Sequence, residues 1–67
     1  MAKISETRFN ELDNSQKVAL VRQPNNTKDL HSTQAQCDPH GRMADYDDEQ
    51  LVSLANAHYI MGGTLNG

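Results

Sequence analysis

Residues 45–63 read DYDDEQLVSLANAHYIMGG, and the rest of the chain has to fit around this stretch. Its start, body and end agree on one structure. Asp47 is a favoured N-cap, Gln50 stands three residues later to complete a capping box, and Tyr46 occupies the staple position before the cap. Asp48 and Glu49 put negative charge into the first turn, where the helix dipole favours it. Leu51, Leu54, Ala55, His58 and Met61 then recur on one face of a helix with a period of about 3.6 residues. Gly62-Gly63 supplies a left-handed stop. The spacing predicts a helix over about 47–61.

The same start signal recurs upstream. Asp13 and Gln16 stand as Asp47 and Gln50 do, and Val18 and Leu20 match Val52 and Leu54. Two helices sharing one start signal explain these matches more simply than a duplicated segment does. Ser5 is a further cap candidate, with Phe9 and Leu12 three apart behind it. A first principal helix is therefore expected over about 5–22, broken near 13 or continuous through it. The run Val18-Ala-Leu-Val21 is short and wholly apolar, so an α+β alternative with a strand at 17–22 stands beside it. Gln23-Pro24 favours the helix and is expected to stop it, because the residue before proline is pushed out of helical geometry.

Residues 24–44 change character. Asn25, Asn26, Ser32, Thr33, Gln34, Gln36, Asp38-Pro39 and Gly41 are turn-forming types, with Leu30, Ala35, Cys37 and Met43 as scattered apolar anchors. No hydrophobic period is visible, and a long polar loop is expected there. Residues 1–3 are expected to be a loose end, and 62–67 a tail. The fold class is thus mainly α: a single small domain over 1–67, with two principal helices joined by a polar loop.

Composition limits function. The chain has 67 residues, 36% hydrophobic and 4% aromatic, without tryptophan. A chain of this size usually needs disulfides, a metal, a partner or dense helix packing to hold it together. A single cysteine, Cys37, excludes an intrachain disulfide. No apolar run reaches membrane-spanning length, so no membrane association is expected and the cytoplasm is the simplest compartment. The net charge of -3 and a C-terminal helix free of Lys and Arg argue against nucleic acid as a ligand.

One cluster of side chains has metal-ligand chemistry. His31, Cys37 and His40 lie close in sequence, and His58 is a candidate fourth ligand from the helix. Zinc takes nitrogen and sulfur ligands tetrahedrally and stabilises small folds. Only one paired ligand spacing is present, however, so zinc is the alternative rather than the leading reading. A Cys37–His nucleophile pair lacks a framework to activate it, and no catalytic residues are assigned.

The leading expectation is a small acidic accessory protein that acts without catalysis by binding a larger protein, modulating or inhibiting it. This is compatible with a viral or mobile-element origin. A minor structural subunit of a larger assembly, or a homo-oligomer, is the second reading. Partner contacts are expected from the acidic knot Asp45, Asp47, Asp48 and Glu49, together with Val52, Tyr59 and Ile60, which lie away from the centre of the helix's apolar face.

Overall fold

In the computed structural model, residues 2–67 are described. The chain runs β1 (Lys3–Ile4), α1 (Glu6–Glu11), α2 (Asn14–Val21), α3 (Pro24–Cys37), a 3-10 turn (Met43–Asp45), α4 (Asp48–Ile60) and β2 (Leu65–Asn66). The described residues are mainly helical, with four helices and one two-stranded sheet.

Local signals place the helix starts. The Ser5 hydroxyl accepts from the Arg8 amide at 3.1 Å and opens α1. Asp13 and Asp47 each form the full capping box, with their carboxylates on Gln16 N and Gln50 N at 2.9 and 2.8 Å. An N-cap must lie outside helical geometry. Asp13 accordingly has ψ 171°, and the first helix is broken there into α1 and α2. Residues 14–21 are helical, which rejects the strand alternative at 17–22.

The polar loop expected at 24–44 and the two-helix architecture require correction. Residues 24–37 form α3, at 14 residues the longest helix among the described residues. Gln23 is extended (ψ 138°), as proline demands of its predecessor, but Pro24 then sits at the start of a new helix, where its missing N–H costs nothing. One proline both ends α2 and begins α3.

The buried face of α3 is Asn26, Leu30, Thr33 and Gln34, and three of these four are polar. Each polar group meets a backbone or side-chain partner. Asn26 Nδ2 donates to Leu20 O and to Asn66 O, both at 2.9 Å, and Asn26 Oδ1 accepts from Asn66 N at 2.8 Å. Thr27 Oγ1 donates to Val21 O at 3.0 Å. Thr27 thereby satisfies the Val21 carbonyl at the C-terminus of α2, and Asn26 adds a second donor to Leu20 O, which also accepts from the Gln23 amide at 3.2 Å. Gln34 Nε2 donates to Asp38 O and Gly41 O, closing the turn after α3. Among the described residues no buried side-chain nitrogen or oxygen lacks a partner.

α4 ends as its glycines require. Gly62 has φ +92°, its amide donates to Tyr59 O, and the Gly63 amide donates to His58 O, a Schellman stop. Beyond it the expected tail is a strand: Leu65 pairs with Ile4, Asn66 with Lys3, and Leu65 is fully buried. Lys3 is therefore part of β1, so the expected loose end at 1–3 is also corrected there; Met1 lies outside the described residues.

The core collects Phe9 from α1, Leu20 and Val21 from α2, Leu30 from α3, Leu51, Leu54, Ala55 and Tyr59 from α4, and Leu65 from β2. The Phe9 and Tyr59 rings meet at 5.5 Å, within the range of favourable aromatic pairs. The radius of gyration, 10.8 Å, equals the value of about 11 Å expected for a compact domain of this length. Satisfied polar groups complete an interior that apolar residues alone are too few to fill.

Candidate functional site

The start of α4 borders a groove, and of the acidic knot Asp48 reaches it by pairing with the lining residue Arg22. Asp45, Asp47, Asp48 and Glu49 are all exposed, held in place by the 3-10 turn and the Asp47 capping box. Alongside lies a concavity of about 390 Å³ lined by Val21, Arg22, Thr27, His31, Met43, Ala44, Tyr46 and Leu51. Its buried side chains are Val21 and Leu51, and the 3-10 turn contributes Met43 and Ala44 without filling it. At the groove, Arg22 Nη2 pairs with Asp48 Oδ1 at 3.1 Å. Both side chains are more than half exposed, so this pair is worth about 0–1 kcal/mol and is easily rearranged.

Tyr46 is fixed from behind. Its hydroxyl donates to Asp38 Oδ2 at 2.7 Å, and this bond to a carboxylate raises the phenol pKa above its ordinary value. Gly41 lets the Asp38 carboxylate come close, because a Cβ there would overlap it.

At the far end of the same helix, Ile60 is 80% exposed and Met61 47% exposed. Cys37 is also exposed, with its sulfur 4.0 Å from Met61 Sδ. Val52 is half-buried. Tyr59, expected beside Ile60 on the outer surface, is instead buried at 8% exposure against Phe9. Its hydroxyl donates to Ile4 O at 2.8 Å, and burial raises its pKa. The buried face of α4 runs through Leu51, Leu54, Ala55 and Tyr59, one residue round from the His58/Met61 assignment.

The candidate metal ligands do not converge. His58 is half-buried between α3 and the C-terminal segment, with Nδ1 2.8 Å from Thr33 Oγ1 and Nε2 3.1 Å from Thr64 O. A carbonyl only accepts, so Nε2 donates to Thr64 O, while the Thr33 hydroxyl, able to donate or accept, pairs with Nδ1. Both ring nitrogens are thus committed to protein partners. His31, Cys37 and His40 are exposed, and no group of three or more His, Cys, Asp or Glu side chains within the described residues is arranged to hold a metal ion. His31 lines the groove instead, a placement that only the helical register of α3 reveals.

No helix of the described residues is long and apolar enough to cross a membrane. Comparison with family models, with curated proteins and with solved structures finds no match to this chain.

Proposed function

We propose that the protein is a non-enzymatic accessory factor that binds a larger protein and modulates or inhibits it, using the exposed side of α4. The observation that carries this reading is Ile60: a large aliphatic side chain 80% exposed on a chain whose core closes without it. Val52 and the acids at 45–49 extend the same helix toward its other end, and they supply charge that steers encounter with a basic surface. Helices commonly present such faces to the grooves of larger partners.

Burying an Ile side chain contributes about 1.5–3 kcal/mol. Ile60→Ser should therefore weaken the complex by about tenfold or more while leaving helix content unchanged. A photo-crosslinking residue at exposed Ser53 provides the assay, in extract of cells that express the gene. The expected result is a discrete heterologous adduct that weakens with Ile60→Ser and persists with Ala19→Ser, an exposed control on α2. Equal capture by Ile60→Ser, or an adduct of two copies of this chain alone, overturns the reading.

A further inference from the structure

We infer that the cleft between β1, α3 and the turn after α4 binds a small hydroxylated phosphomonoester, of the size and chemistry of a sugar phosphate. This site is additional to the protein-binding face proposed above and does not depend on it. The cleft has a volume of about 630 Å³, within the range of roughly 300–1,000 Å³ typical of ligand pockets and larger than the groove at the start of α4. Its charged lining groups are Lys3 from β1 and Lys28 and Asp29 from α3, two cations against one acid on a chain whose net charge is -3. Neither lysine takes part in an ion pair among the described residues, whereas Arg22 in the other groove is matched by Asp48. Both lysines are exposed, so a ligand reaches their ammonium groups directly.

The lining donors select the ligand. Lys3 Nζ donates to Thr64 Oγ1 at 3.2 Å, which leaves the other ammonium protons and the Thr64 hydroxyl proton for an acceptor in the cleft. Ser32 adds an exposed hydroxyl one helical turn from Lys28. An anion with several acceptor oxygens matches these donors, and lysine serves phosphate as a point charge. The negative end of α4 does not oppose it. The carbonyls of Ala57, His58 and Tyr59 already accept from the amides of Met61, Gly63 and Gly62. The back of the cleft is fixed by His58, whose ring is held by Thr33 and Thr64 O and covered by Gly63 so closely that a Cβ there would overlap it. No Phe, Tyr or Trp lines the cleft to stack a nucleobase. Asp29 and Ser32 instead offer oxygens to the hydroxyl groups of a sugar-like body, which gives the one acid in the lining a role.

The probes are glucose 6-phosphate, inorganic phosphate and glucose, titrated into the full chain at constant pH and ionic strength and followed through amide and His58 ring resonances. Saturable shifts confined to residues 28–33, 58 and 62–64 are the expected result, with glucose 6-phosphate binding most tightly, inorganic phosphate more weakly and glucose not at all. Lys28→Gln should weaken the binding by about tenfold. Arg8→Gln, which removes the same charge from α1 outside the cleft, should leave it unchanged. Asp29→Ala should abolish the preference for glucose 6-phosphate over inorganic phosphate. All three positions are exposed, and unchanged circular dichroism verifies the fold. No saturable shift, inorganic phosphate bound as tightly as glucose 6-phosphate by the unaltered chain, an equal loss with Arg8→Gln, or shifts spread over Lys and Arg throughout the chain overturns the assignment.

Discussion

Removing the Asn26 side chain should cost this protein a large share of its stability. Asn26 is fully buried and ties three elements together: the last turn of α2, the start of α3 and β2. Asn26→Ala deletes three hydrogen bonds and leaves the partner groups of Leu20 and Asn66 without it. At about 1 kcal/mol per bond the expected loss is about 3 kcal/mol. At roughly 0.05–0.15 kcal/mol per residue, total stability is about 3–10 kcal/mol, so the loss is between a third and all of it. Urea unfolding followed by far-UV circular dichroism is the assay, because the chain has no tryptophan. With a urea slope of about 1 kcal/mol per molar, the midpoint should fall by about 3 M or the variant should be unfolded at the outset. Asn26→Asp distinguishes lost bonding from lost volume. Its carboxylate still accepts from Asn66 N but turns acceptors toward two carbonyls, so it should destabilise at least as much as Ala. Acidification should narrow that gap, because a protonated carboxyl regains one donor. Exposed Asn25→Ala, by contrast, should stay within about 0.5 kcal/mol of wild type. An Asn26→Ala variant also within about 0.5 kcal/mol would refute the claim that polar contacts seat α3.

Four further outcomes follow from other contacts of the fold. Tyr59→Phe removes the bond to Ile4 O and should cost about 1 kcal/mol by urea unfolding; an unchanged midpoint contradicts the assigned bond. Both tyrosine pKa values are raised in the fold, Tyr59 by burial and Tyr46 by donation to Asp38, so their stabilising contribution is present below the unfolded value of about 10 and is lost as pH rises beyond it. Urea midpoints should accordingly drop between about pH 8 and about pH 11, by less in Tyr59→Phe, and equal drops in the two proteins would rule out Tyr59 as a source. Gly63→Ala places a methyl on the His58 ring and should displace it from Thr33 and Thr64, visible as altered His58 ring resonances; unperturbed resonances argue against the close approach. Asp47→Ala removes the α4 capping box and should cost about 1 kcal/mol, while a loss under a few tenths would mean the cap is redundant.

The legible parts of the fold are those specified by neighbours in sequence. Asp13 and Asp47 each sit three residues before a glutamine, and Gly62-Gly63 stops α4, so the helix starts and that stop needed no tertiary information. α3 was illegible because its inward face is Asn26, Thr33 and Gln34 around a single Leu30. Their burial is favourable only because α2, β2, His58 and the Gly41 turn supply partners, and of these Asn66 in β2 and His58 are distant in sequence. Pro24 misled for a related reason: a proline that forbids one helix is equally suited to open the next. On α4, helical periodicity accommodates either His58 or Tyr59 on the inner face, and the fit of Tyr59 against Phe9 and Ile4 decides it. The acidic knot was visible as a run of charge, but its groove was not, since Val21, Thr27 and His31 reach it only through the α2–α3 junction.

Amide hydrogen exchange on the purified chain alone, without metal or partner, tests most directly the claim that polar contacts make α3 part of a self-sufficient fold. Slow exchange for the amides of Leu30 through Asp38, and for Asn66, which donates to Asn26, is the result this account predicts. Rapid exchange throughout 24–38 and at Asn66, beside protected amides in α4, would contradict it and mean that α3 takes its order from something the chain does not contain.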